Sequence, residues 1–592
     1  MTKKIKVIKR YFIVNLLLLM SAFTLTTQAQ LMIESVDDGT VADRRGPGGP
    51  GPGPGGPGPG PGPGGPGPGP GGPGPGGPGP GPGGPGPGPG GPGPGPGGPN
   101  ETLAELVERL ELRPASAEGL DLPSVNDPKV LLGKQLFFTK NLGGEQSAAC
   151  ASCHHPVLGG GDDMSLSVGV NAVNAQDQDS HGLLGIGRFN GNSDQPSVPR
   201  NAPTIFNTGL NNRAMFWDSR VEFNRNGDIV TPDSPLNEDG RRLPDQNFPA
   251  GTTLAAAQAR FPVTSGDEMR GQFVASSDNE QLRAELASRF DNSDSNFSST
   301  WPDAFELAYG DSDVSFNRIA DAMGEYERSM VFINNPWKDY LEGDEDAITD
   351  QQKAGAMLFF TPRNNGGAGC AGCHRGPDFS SPRHHLVAFP QMGPGKGNDS
   401  DTATSGDFGR ENITGNEDDR FHFRPPSLLN VAATAPYGHT GAYQTLEQVV
   451  AHYNNPRRAI NNLFAADDGV PFSDGDDAPF CRLPQVAALA SKNDQSCESL
   501  YPDAYANSIA VASHLEQANR RNSGVDASSP LRGRSNLSRQ EVGEVAAFLR
   551  ALTDPCVESR ECLTPWIIDG NDAPGFPDDQ PLIGHDAQEA SL

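Results

Sequence analysis

The sequence predicts a mainly helical fold built from two similar domains in tandem, with long loops. Three observations predict it: an internal repeat, capped helix starts, and a scarcity of the two-residue alternation that marks strands. The repeat pairs GKQLFFT at 133–139, followed by CASCH at 150–154, with GAMLFFT at 355–361, followed by CAGCH at 370–374. Each copy reads as an apolar-periodic helix, then a loop rich in Gly and Asn, then a cysteine motif. Three further helix starts carry capping boxes: Thr349 with Gln352, Thr445 with Gln448, and Ser538 with Glu541. The stretches 218–252 and 391–424, rich in Asp, Asn, Gly and Pro, read as loops.

The ends of the chain are of another kind. Residues 46–99 are solely Gly and Pro, and this tract holds 54 of the 131 Gly and Pro in the 592-residue chain. It lacks the strict triplet of collagen and has no side chains with which to make a core, so it reads as a disordered spacer. Before it, Lys3, Lys4, Lys6, Lys9 and Arg10 precede an apolar run and a small, polar TQAQ, the pattern of a secretory signal cleaved after Ala29. The apolar run is about 15 residues, short of the roughly 20 that span a bilayer, so no membrane span is expected in the mature form. The expected division is a signal peptide at 1–29, a disordered segment with the Gly/Pro spacer at 30–100, helical domains at 101–335 and 336–555, and a C-terminal tail at 556–592.

The eight cysteines fall into two classes. Cys150 and Cys153 with His154, and Cys370 and Cys373 with His374, are both C-x-x-C-H, the pattern of covalent c-type haem attachment. Two thiols three residues apart each form a thioether with a vinyl group, and the adjacent imidazole then reaches the iron. A zinc knuckle or a thiol redox motif does not explain the following His twice. Cys481, Cys497, Cys556 and Cys562 are left for disulfides in an oxidising compartment; local pairs 481–497 and 556–562 are one of three connectivities. Formal net charge is −29, which argues against nucleic acid and suits either a basic redox partner or simple solubility.

Beyond the haem motifs, RNAPTIFN at 200–207, FWDSR at 216–220, HRGPDFS at 374–380 and FRPPSLLNVAATAPYGHTGAYQTLEQVVAHY at 423–453 resemble the dihaem cytochrome c peroxidase and MauG superfamily over roughly residues 120–555. The resemblance implies two cytochrome c-like helical domains, one haem each. The N-terminal haem is peroxidatic, with His154 as proximal ligand, and the C-terminal haem transfers electrons, with His374.

It also implies further site residues. Gln258 and Glu268, in QARFPVTSGDEM, match the family's acid/base pair; Glu268 is the expected catalytic group. Trp217 matches a tryptophan lying between the haems. The family segment SIGH, whose His is a distal ligand in many peroxidases, is SVGV here, ending in Val170; His155 and His181 are the nearby alternatives, and an open iron is expected. Tyr453 stands where peroxidases place a Met and MauG-like members a Tyr, with neighbouring His452 as the competing ligand. His439 matches a family histidine near the domain junction. Asn201, Thr434 and Pro436 match positions that hold Ca²⁺ between the domains. The family's surface tryptophan before the second motif is Ala368.

The function this implies is a periplasmic (or secreted) dihaem c-type peroxidase of the MauG-like branch, reducing H₂O₂ with electrons from a small cytochrome c or cupredoxin, or from a protein substrate. A MauG-like oxidase of protein Trp or Tyr side chains, a non-enzymatic dihaem electron carrier, and an oxygenase resembling the dihaem rubber-cleaving proteins are the alternatives. Family members often dimerise, so a homodimer is among the implied assemblies.

Overall fold

In the computed structural model the chain is described over residues 101–592, apart from 174–181, 396–405, 466–470, 473–476, 522–535 and the single positions 194, 211, 212, 239, 250, 298, 394, 571, 573 and 574. The expected signal, the Gly/Pro spacer and His181 lie outside the described residues. The described part is mostly helical, with a few strands of two or three residues.

The helices that matter for the site are α1 (Leu103–Arg109), α2 (Pro128–Phe138), α3 (Leu254–Gln258), α4 (Phe316–Arg328), α5 (Asp350–Phe360), α6 (Leu446–Asn454) and α7 (Arg539–Arg550). The three expected capping boxes form: Thr349 starts α5, Thr445 starts α6 and Ser538 starts α7. In α4, buried Phe316, Ile319, Ala320, Met323, Tyr326 and Glu327 follow the three- and four-residue spacing that lays one face inward.

One helix pair occurs twice. Helix α2 packs on α4, and α5 packs on α7, each crossing at the first residue of the repeated heptapeptide. A Cβ at Gly133 would lie 1.9 Å from the Ala322 carbonyl oxygen, and one at Gly355 would lie 1.9 Å from that of Glu544. Glycine is what lets two backbones approach so closely. The Phe-Phe pairs of the repeat then close on an aromatic one turn beyond each crossing. Phe137 meets Tyr326 at 5.0 Å between ring centroids, and Phe359 meets Phe548 at 5.2 Å.

The ends of the described chain cross the expected boundaries. Leu103 and Leu106 of α1 join the core that contains Phe359 and Phe548. Residues 556–592, expected as a tail, supply Val557, Leu563, Ile567, Leu582 and Leu592 to the core around Phe137 and Phe138. Asp578 secures them, accepting hydrogen bonds from Thr139 Oγ1 (2.9 Å), Asn141 Nδ2 (2.9 Å) and Trp301 Nε1 (2.8 Å). The disulfides are Cys481–Cys497 and Cys556–Cys562.

The strands form three antiparallel sheets: β1 (Ala172–Val173) with β2 (Phe189–Asn190); β3 (Ala214–Met215), β4 (Val221–Phe223) and β5 (Ile229–Val230) in that order; and β6 (His385–Leu386) with β7 (His422–Phe423). FWDSR is the turn from β3 to β4, with Met215 opposite Val221 and with Phe216 and Ser219 at positive φ. Among the described residues, no helix is long and apolar enough to cross a membrane.

Candidate active site

Both C-x-x-C-H motifs fold as the same tight turn at the end of the loop that follows the repeated helix. The N–H of Cys153 and of His154 donates to Cys150 O, at 3.2 and 3.1 Å; those of Cys373 and His374 donate to Cys370 O, at 3.1 and 3.0 Å. Each following imidazole is oriented by a main-chain carbonyl: His154 Nδ1 lies 3.2 Å from Gly160 O, and His374 Nδ1 lies 2.9 Å from Phe379 O. A carbonyl only accepts, so Nδ1 carries the proton and Nε2 keeps its lone pair. Burial lowers the pKa of both rings, favouring the neutral form that ligates metal. Cys150, Cys153, Cys370 and Cys373 are all outside disulfides.

All six of these residues line one largely apolar cavity of about 390 Å³. Arg424 also lines it. Its Nε donates to Phe216 O at 3.2 Å, no carboxylate is within ion-pair distance among the described residues, and burial pushes its pKa down to about 10. A buried guanidinium with no carboxylate in direct contact is costly, even with Asp378 and Asp218 acting on it from further away. Two thiol pairs, two lone-pair imidazoles and this buried cation fit haem, whose propionates bring carboxylates of their own.

The same cavity receives Gln258 from the last turn of α3 and Glu268 from a turn of π-helix, Gly266–Arg270. Ser265 Oγ accepts from Glu268 N (3.3 Å) and holds that turn. The Glu268 carboxylate has no hydrogen-bond or ion-pair partner among the described residues and is half-buried. SVGV packs beneath it. Val170 N donates to Asp267 O (3.2 Å), and a Cβ at Gly169 would meet Asp267 O at 2.1 Å and Glu268 O at 2.4 Å. Val170 is buried and offers no ligand atom, while His155 is buried behind the motif against Phe138, ring centroids 5.6 Å apart.

On the other side, Tyr453 of α6 lines the cavity with its hydroxyl unpartnered among the described residues; burial raises its pKa. His452 is committed elsewhere. Its Nδ1 is 2.9 Å from Tyr443 Oη and its Nε2 is 2.8 Å from Val387 O, and the ring does not line the cavity.

Trp217 lines the cavity too, and its Nε1 donates to Asn201 O at 3.0 Å. Asn201 N in turn donates to His439 O (2.9 Å), and its Nδ2 donates to Met164 O (2.8 Å), which turns Oδ1 away as an acceptor. Thr434 and Pro436 line the same cavity. His439 stacks on Phe423, centroids 3.9 Å apart, and burial lowers its pKa to about 4. Ala368, at the position of the family's surface tryptophan, is buried.

Sequence reasoning missed three groups. Arg424 sits inside a sequence motif, but its burial without a direct ion pair is visible only in space. Arg200 bridges Asp407 (2.5 and 2.7 Å) and Asp218 (2.6 Å), all buried. Burial opposes ionisation of Asp407, but the Arg200 charge and hydrogen bonds outweigh it and hold the carboxyl below its ordinary range. Glu327, on α4, is a third buried carboxyl, facing the cavity.

Residues 127–346 match the family model described as di-haem cytochrome c peroxidase. Cytochrome c551 peroxidase of Pseudomonas aeruginosa is 30% identical over 341 residues, 57% of this chain and 74% of that one. Cytochrome-c peroxidase IdrP2 of Pseudomonas sp. (strain SCT) is 28% identical over 353 residues, 56% and 74%. Methylamine utilization protein MauG of Methylorubrum extorquens is 27% identical over 354 residues, 60% and 76%. A solved MauG-like protein associated with microbial copper homeostasis shares 22% identity over 76% of this chain and 95% of its own, with a TM-score of 0.44. With three quarters of a 30% identical relative covered and both haem motifs lining one cavity, the chain belongs to the di-haem cytochrome c peroxidase family of oxidoreductases.

Proposed function

We propose that this chain is an exported, periplasmic dihaem peroxidase of the MauG-like branch, with tandem cytochrome c-like domains that divide near residue 335, α1 completing the second and residues 556–592 the first. It takes H₂O₂, two electrons and two protons to two waters. The observation that carries the reading is the Glu268 carboxylate: unpartnered, half-buried, and on the cavity wall that holds His154, where SVGV brings no ligand. Bound at His154, haem supplies the iron site and the electrons that open the O–O bond. Glu268 takes the proton of one peroxide oxygen and returns it to the other, which departs as water. The Gln258 amide orients the peroxide.

Trp217 carries charge between the two halves, held by its bond to Asn201 O. Tyr453, with a free hydroxyl, is the ligand candidate on the His374 side, since both nitrogens of His452 are engaged. Asn201 Oδ1 with main-chain oxygens of Thr434 and Pro436 would hold Ca²⁺, a hard cation suited to neutral oxygens. The donor is a small cytochrome c or cupredoxin. Oxidation of protein Trp or Tyr side chains is the second reading, favoured by Tyr453 and opposed by buried Ala368.

The test is peroxide reduction by the haem-loaded protein with a reduced small cytochrome c. The parent consumes two donor electrons per peroxide. Glu268→Gln slows the reaction with peroxide by on the order of 10²-fold or more with an unchanged ferric spectrum; a Glu268→Gln rate equal to the parent's overturns the assignment.

A further inference from the structure

A second cavity, of about 560 Å³, abuts the first, and Glu268 and Arg220 line both. Its inner end is at buried Asp218 and its walls pass Phe261, Arg242 and Ile413 to exposed Gly415. The two side chains at the junction differ in freedom. Arg220 is held, 3.3 Å from Asp218 and with its guanidinium 3.5 Å over the Phe216 ring, whereas the Glu268 carboxylate is unpartnered. The outer walls come from two segments distant in sequence, the loop between β5 and α3 and the short helix Glu411–Thr414.

We propose that this outer cavity is the entry passage by which hydroperoxide reaches Glu268, a reading that rests on the catalytic role given to Glu268 above. The volume is many times that of a water molecule, about 30 Å³, so the passage admits a hydrated small oxidant. Its walls are mixed: Phe261 and Ile413 are apolar, while Thr264, Ser265 and Asn279 offer hydrogen bonds. Its inner end delivers the ligand to the one carboxylate that faces both cavities, so that entry and proton transfer meet at a single side chain.

Ile413, half-buried in the passage wall and outside the inner cavity, allows a test in the haem-loaded protein. Ile413→Trp fills the passage. Stopped-flow mixing with cyanide, a small ligand of ferric haem, is expected to give an association rate at least tenfold lower and a dissociation rate lowered by the same factor. The equilibrium Kd is then unchanged, because a passage affects both directions alike. Ile413→Ala, the gentler variant, is expected to accelerate cumene hydroperoxide relative to H₂O₂. An association rate equal to the parent's in folded Ile413→Trp overturns the passage, as does an unchanged hydroperoxide ratio in Ile413→Ala. Glu268→Gln separates the two claims. It slows peroxide if Glu268 is catalytic, whereas a peroxide rate equal to the parent's removes the catalytic role without touching the result at Ile413.

Discussion

The surroundings of His154 and of His374 are built on one scaffold and finished differently. Gly133 under Ala322 and Tyr326 repeats as Gly355 under Glu544 and Phe548, with the same 1.9 Å approach to a carbonyl oxygen and the same 2.9 Å approach to a Cβ. Counting along the helices from those contacts, Met323 corresponds to Val545 and Glu327 to Leu549, and all four line the cavity. At one depth on one wall, then, the first half carries a carboxyl where the second carries a leucine. The facing segments diverge further: Gln258 and Glu268 on one side, Tyr453 on the other. The helix crossing holds the motif in place, and a few wall residues set the chemistry.

The widest effect should come from the shared part. Gly133→Ala and Gly355→Ala each add one methyl where a carbonyl oxygen already stands. Helix propensity favours the change by about 1 kcal/mol, but the overpacking outweighs it, so each variant is expected to lose about 3 kcal/mol or fail to fold. Urea unfolding of the haem-loaded proteins checks this. A large loss in one and none in the other would break the equivalence of the two crossings.

What the sequence made legible follows the same division. The haem motifs, the repeat and the three capping boxes are short patterns whose chemistry is local, and the caps formed as expected, while the disulfides took the local pairing out of the three connectivities left open. The placement of Arg200 beside Asp407 was not legible, because an ion pair across 207 residues leaves no periodic trace. Nor was the exchange of chain ends: the apolar face of α1 says that Leu103 and Leu106 are buried, not which core receives them. The excess of Glu327 over Leu549 became visible only when the two crossings could be superposed residue by residue.

Glu327 sharpens the comparison through pH. Burial pushes its carboxyl up from an ordinary 4.5 to about 8. The folded state therefore binds a proton that the unfolded state releases between those values. Stability from this group is complete below pH 4.5 and is lost as pH rises toward 8, by on the order of 2 kcal/mol or more. Glu327→Leu, which copies the second half, should flatten that decline. Urea midpoints at pH 5 and pH 8 measure it; an equal slope in parent and variant would remove Glu327 as a difference between the halves.

The smallest expected difference lies at the helix starts. Helix α5 begins with a complete box: Thr349 Oγ1 accepts from Gln352 N, and the Gln352 side chain accepts from Thr349 N at 2.8 Å. Helix α2 begins on Pro128, which has no N–H to satisfy, and Asp127 makes no side-chain bond into the helix, accepting instead from Ser124 N at 2.8 Å. Thr349→Ala thus exposes an orphan donor and should cost about 1 kcal/mol. Asp127→Ala removes only a turn contact and a charge near the helix N-terminus, about 0.5 kcal/mol. Unfolding both variants under one set of conditions decides the point: equal losses would mean that the two repeated helices are started by the same device, against the asymmetry of their caps.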